Sequence, residues 1–124
     1  MSGKQATNGY IMSVTIYHNP RCSKSRQTLE LLEKKGVKPT VIEYLETPPS
    51  AAELKRILKM LGMTPRQLLR EKESKEAGLD DPKLAGDALI RKMVANPTVI
   101  ERPIVVKGSR AALGRPPENA LKIL

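Results

Sequence analysis

Polar and apolar residues alternate over Ser13-Val14-Thr15-Ile16-Tyr17, and β-branched side chains dominate the run. That is the period of a strand with one face buried. From Lys24 the period changes. Leu29, Leu31 and Leu32 recur at helical spacing, charged residues occupy the other positions, and Gly36 is placed to cap the C-terminus. Pro39 to Leu45 then reads as a second strand. Strand, helix and strand joined by short links imply a right-handed crossover between parallel strands.

Thr47-Pro48-Pro49 stops the second strand. Ser50-Ala51-Ala52-Glu53 is a capping box, so a helix is predicted from there to Gly62. Thr64-Pro65 opens a further short helix carrying Leu68, Leu69 and Arg70. Glu71 to Leu79 is charged and weakly patterned and reads as a surface loop or irregular turn. The next helix begins at Asp81-Pro82 or at Gly86-Asp87, buries Leu89, Ile90, Met93 and Val94, and ends at Asn96-Pro97. Val99 to Val106 is strand-like with Pro103 inside it, a residue tolerated at a strand start, an edge or a cis bend. Lys107-Gly108-Ser109 reads as a hairpin turn, Arg110 to Leu113 as the return strand, and Glu118 to Leu124 as a last helix.

The predicted order is β-α-β, a helical insertion at about 50–95, then β-β-α. This is an α/β thioredoxin-like arrangement with a mixed sheet. The 124 residues suit one domain, taken as 13–124. Residues 1–12 are polar and read as a disordered leader or an expression remnant, not a signal peptide. No apolar run approaches membrane-spanning length. A single cysteine and no export signal together point to the cytoplasm.

Composition narrows the partners. Phe and Trp are absent and Tyr occurs three times, so there is almost no platform on which bases could stack, and no nucleic acid is expected. The net charge of +9 favours anionic partners in general. One Cys and one His cannot build a structural zinc site.

The candidate chemistry lies at the first strand-to-helix junction, in Tyr17-His18-Asn19-Pro20-Arg21-Cys22-Ser23-Lys24-Ser25-Arg26. A sulfur there faces the unpaired N–H groups and the positive end of the helix, which favour thiolate. Ser25 is one helical turn on and is placed to donate to the sulfur of Cys22. His18 either orients the loop, favours the thiolate as a cation, or is a strand-end side chain bonded to backbone. Arg70, Arg102 and Arg115 stand apart from the Lys-rich helix faces, each at an element end. Singly, such arginines are most often surface charges. Together beside a thiolate they would make an oxyanion clamp, since guanidinium offers planar paired donors.

These runs, with Tyr44-Leu-Glu-Thr-Pro-Pro49, Leu68-Leu-Arg70, Glu101-Arg-Pro-Ile-Val-Val106 and Gly114-Arg-Pro-Pro-Glu118, resemble the glutaredoxin-coupled arsenate reductase (ArsC) family, its short chromosomal members above all. The resemblance spans roughly residues 13–124. It implies that Cys22 attacks arsenate, that Arg70, Arg102 and Arg115 bind and activate the oxyanion, and that His18 and Ser25 favour the thiolate. It implies no bound cofactor, glutathione as co-substrate, glutaredoxin as protein partner, arsenite as product, a monomer, and a cis bond at Arg102-Pro103. A lone cysteine fits this scheme, because it needs an external thiol to resolve its disulfide. Two alternatives stand beside it. One is a glutathione-dependent thiol oxidoreductase of the same fold acting on another substrate. The other is an Spx-like regulator binding RNA polymerase, against which the C-x-x-S in place of a C-x-x-C counts.

Overall fold

The computed structural model describes residues 13–124; the leader expected over 1–12 lies outside the described residues. Strand β1 (Val14–His18) leads into helix α1 (Ser23–Lys34), and β2 (Thr40–Glu43) returns parallel to β1. Strands β3 (Ile104–Lys107) and β4 (Arg110–Leu113) form a hairpin around Gly108-Ser109, with Gly108 at φ 61°. β3 pairs antiparallel with β1, so the sheet order is β2-β1-β3-β4. This is the mixed sheet of a thioredoxin-like α/β fold.

The two faces of the sheet bury two clusters. Val14, Ile16, Val105 and Ala112 pack with Leu32 of α1 and with Ala120 and Ile123 near the C-terminus. Tyr17 and Ile104 point the other way, into a larger cluster with Leu54, Ile57, Leu58, Leu68, Leu89, Met93 and Val99. Alternation along β1 and β3 sends neighbours to opposite faces, which lets one short sheet anchor both layers.

The helical layer is α2 (Ala51–Leu61), α3 (Glu71–Glu76) and α4 (Gly86–Ala95), with 3₁₀ turns at Arg66–Leu68 and Pro97–Val99. The capping box forms as read: Glu53 N–H donates to Ser50 Oγ at 3.1 Å and Ser50 N–H to Glu53 Oε1 at 3.0 Å. Gly62 closes α2 in the left-handed region at φ 68°.

Several boundaries differ from the sequence reading. Glu71 to Leu79 is not a loop, because α3 occupies its first part. Glu71 and Glu73 sit where the helix dipole favours negative charge, and buried Ser74 ties its Oγ to the Glu71 carbonyl at 2.9 Å. Its apolar anchor, Leu79, comes after the helix, so no amphipathic stripe announces it. Arg66 donates to the carbonyls of Leu79 and Asp81 and holds the following segment. The strand expected over 99–106 is interrupted. Ile100 bridges only to Leu69, and the strand resumes at Ile104 after Pro103, which has no N–H to give a ladder. β2 ends at Glu43, and the terminal helix is a 3₁₀ helix, Pro117–Ile123.

Candidate active site

Register explains why distant residues meet. Tyr17, near the end of β1, pairs with Ile104 at the start of β3, and Ile104 pairs with Leu113 at the end of β4. The loop carrying Cys22, the residues before Ile104 and the residues after Leu113 therefore leave the sheet at one edge. Arg102 and Arg115 lie on the last two segments. Arg70 reaches the same edge through a backbone clasp: its N–H donates to the Val99 carbonyl and Glu101 N–H donates to the Leu68 carbonyl, both at 2.8 Å. Arg70 thus follows an extended residue and N-caps α3; it does not end an apolar helix.

Close packing fixes the geometry between α1 and this edge. Gly114 N–H donates to the Pro103 carbonyl at 2.9 Å. A Cβ on Gly114 would stand 2.6 Å from Thr28 Oγ1 and 2.8 Å from Pro103 Cγ. Only glycine allows α1 to approach so closely. The Arg102-Pro103 bond is cis, as the resemblance implied, and Arg115-Pro116 is cis as well.

Cys22 is the N-cap of α1, half-buried, with extended backbone (φ −95°, ψ 123°) and no acidic residue in the first turn. Its N–H donates to the Asn19 carbonyl at 3.0 Å, and its own carbonyl accepts from Arg26 N–H. Arg26 also donates to the Pro20 carbonyl at 2.8 Å, and Asn19 Oδ1 accepts from Arg21 N–H at 3.0 Å. The loop is thus braced by its own polar groups.

Ser25 has other partners than the sulfur proposed from spacing. Its buried hydroxyl lies 2.6 Å from His18 Nδ1 and accepts from Asn19 N–H at 3.0 Å. His18 is buried as well, and burial above all, with Arg26 adding to it and Glu43 opposing, pushes its pKa below the usual imidazole value. A neutral ring shares one hydrogen bond with the Ser25 hydroxyl at Nδ1, the tautomer deciding which of the two donates. His18 and Ser25 lock the loop that presents Cys22; a positive His18 facing the sulfur is not what this geometry provides at neutral pH.

Two of the three arginines bring their guanidinium groups to one carboxylate, and the third meets it through its backbone. Glu101 Oε1 lies 3.5 Å from Arg70 Nε and 3.6 Å from Arg115 Nε, and accepts from Arg102 N–H at 3.3 Å. Arg115 also donates to the Arg102 carbonyl at 3.3 Å, and Arg70 pairs with Glu73 at 2.8 Å. Arg70 and Arg102 line a cleft of about 260 Å³ with Asn19 and Tyr44. Arg102 Nε is buried with no hydrogen-bond partner. Among the described residues, no group of three His, Cys, Asp or Glu could hold a metal ion.

The ArsC family profile matches residues 17–123. The chain belongs to the ArsC family. It is 56% identical over 114 residues to the Escherichia coli K12 protein called "Uncharacterized protein YfgD", covering 90% of this chain and 96% of that one. It is 48% identical to the arsenate reductase of Neisseria meningitidis, again over 90% of this chain and 97% of that one. The solved arsenate reductase of Vibrio cholerae superposes with a TM-score of 0.86 at 55% identity, over 91% of this chain and 98% of that one. Within this ArsC-family site, Glu101, Asn19 and Tyr44 were not singled out by sequence. Glu101 was legible only as the neighbour of Arg102. Tyr44 carried no chemical signal at all, since a strand tyrosine ordinarily packs.

Proposed function

We propose that this protein is an arsenate reductase using glutathione and glutaredoxin, with Cys22 as nucleophile. One observation carries the reading beyond family membership. Arg70 and Arg102 line one cleft with Asn19 of the Cys22 loop, and Arg70 and Arg115, 45 positions apart in the chain, pair with the single carboxylate of Glu101. An oxyanion offers the same acceptor geometry as that carboxylate, with more oxygens to share.

In this reading Arg70, Arg102 and Arg115 bind arsenate and stabilise charge as it builds on the arsenic oxygens. The Cys22 thiolate attacks arsenic. A sulfur–arsenic bond forms, and one oxygen leaves as water after taking a proton. A glutathione thiolate then attacks the Cys22 sulfur. The electrons of the sulfur–arsenic bond pass to arsenic, As(V) becomes As(III), and arsenite leaves. Two thiols have become one Cys22–glutathione disulfide. With no second cysteine in the chain, that disulfide must be reduced from outside, by glutaredoxin with further glutathione. The reaction would serve arsenic detoxification in the reducing cytoplasm. Among the described residues, no helix is long and apolar enough to cross a membrane.

The test is oxidation of glutathione in the presence of glutaredoxin, with and without arsenate. Wild type is expected to turn over only with all components, and Cys22→Ser to show none. Full turnover by Cys22→Ser would overturn the assignment of the nucleophile. Wild-type oxidation that ignores arsenate would replace arsenate by another substrate of the same thiol.

A further inference from the structure

Tyr44 follows directly after β2, and its side chain is 2% exposed. The ring packs in the helical-side core, yet Tyr44 also lines the cleft with Asn19, Arg70 and Arg102. That hydroxyl is fully buried and has no hydrogen-bond partner. Buried phenols normally find one, because the group loses water on folding and needs compensation. The Asn19 side chain approaches the phenol oxygen and favours its charged form, but no hydrogen bond of sound geometry forms between them.

Among the described residues the second unpartnered buried side-chain atom is Arg102 Nε, which can only donate. Tyr44 and Arg102 line the same cleft, and each carries an unpartnered buried polar atom. Tyr44 has the same polarity in practice. Burial above all, with the charges of Cys22 and Glu101 adding to it against Arg70, pushes the phenol above its usual pKa, so it keeps its proton. Both orphans are donors, and the partner that satisfies both is rich in acceptors.

We propose that Tyr44 binds substrate: its hydroxyl donates a hydrogen bond to an oxygen of the oxyanion held by Arg70 and Arg102. This rests on the oxyanion reading of the site. Tyr44 contributes a neutral, buried donor, whereas the more exposed Arg115 contributes charge. Tyr44 therefore fixes where the anion sits and adds little to drawing it in.

The proposal makes two effects of one substitution run in opposite directions. Tyr44→Phe keeps the ring and removes a hydroxyl that the free protein leaves unpaired. The free protein should melt at the same temperature or higher. Anion binding should weaken. The single cysteine makes alkylation a direct readout: arsenate or phosphate bound at the arginines should slow the reaction of Cys22 with iodoacetamide. In Tyr44→Phe the concentration giving half-protection should rise about tenfold, each protein read against its own unprotected alkylation rate. Unchanged protection would overturn the proposal. So would a lower melting temperature, since the hydroxyl would then be bonded within the fold. If wild type itself gains no protection from either anion, the oxyanion reading fails first and the proposal with it; protection of wild type with an unchanged variant sinks the proposal alone.

Discussion

At the residue scale, the site is a balance of charges and of buried polar groups with specific partners. Glu101 neutralises part of the arginine cluster and competes for the donors an oxyanion would use. Glu101→Gln should free them. Protection of Cys22 by phosphate should tighten about fivefold, as for loss of an ionic contact of about 1 kcal/mol. Weaker protection would mean that Glu101 chiefly holds the guanidinium groups in place. His18 makes a pH prediction. Burial holds its folded pKa below 6.5, its ordinary value. Between the two values the unfolded chain carries a proton that the folded chain lacks, so its share of stability is complete above about pH 6.5 and declines as pH falls below it. His18→Gln removes that share. The melting-temperature gap between wild type and variant should narrow between pH 7.5 and 5.5, and a constant gap would contradict the assignment.

At the element scale, the critical contact joins α1 to the chain on either side of the hairpin. Thr28 of α1 donates to the Lys24 carbonyl at 2.8 Å and to the Gly114 carbonyl at 3.3 Å. Gly114 in turn bonds to Pro103, next to Arg102, and precedes Arg115. Gly114→Ala must push Thr28 and Pro103 aside, an overpacking cost of about 1–3 kcal/mol. Calorimetry should show a melting temperature lower by several degrees. Because the same shift displaces Arg102 and Arg115 relative to Cys22, arsenate turnover should fall more than stability alone explains. Normal turnover with normal melting would show that the contact has slack. The elements differ in how plainly their residues announce them. β1 and α2 have clean periods and a capping box, and both form as read. α3 is six polar or charged residues held by a dipole, one buried serine and a leucine beyond its end, so no pattern marks it.

At the scale of the whole molecule, the sheet does the assembling. Its two apolar faces are visible in the alternation of Val14, Ile16, Ile104 and Val105, and the order of elements follows from the runs and breaks between them. The sequence by itself determined the β-α-β opening, the placement of Cys22 at the head of a helix and the absence of a second thiol, because each depends on neighbours within a turn or two. It also supplied the motif order of the ArsC family. Only the tertiary structure decided which groups share a hydrogen bond and which face an unfilled donor's need. Ser25 turns to His18 because a buried imidazole lies closer in space than spacing along the helix can say. Glu101 meets Arg70 and Arg115 because strand register and the Leu68–Glu101 clasp bring separate segments to one edge. The unpaired hydroxyl of Tyr44 exists only in the folded chain, where burial removes water and packing supplies no substitute.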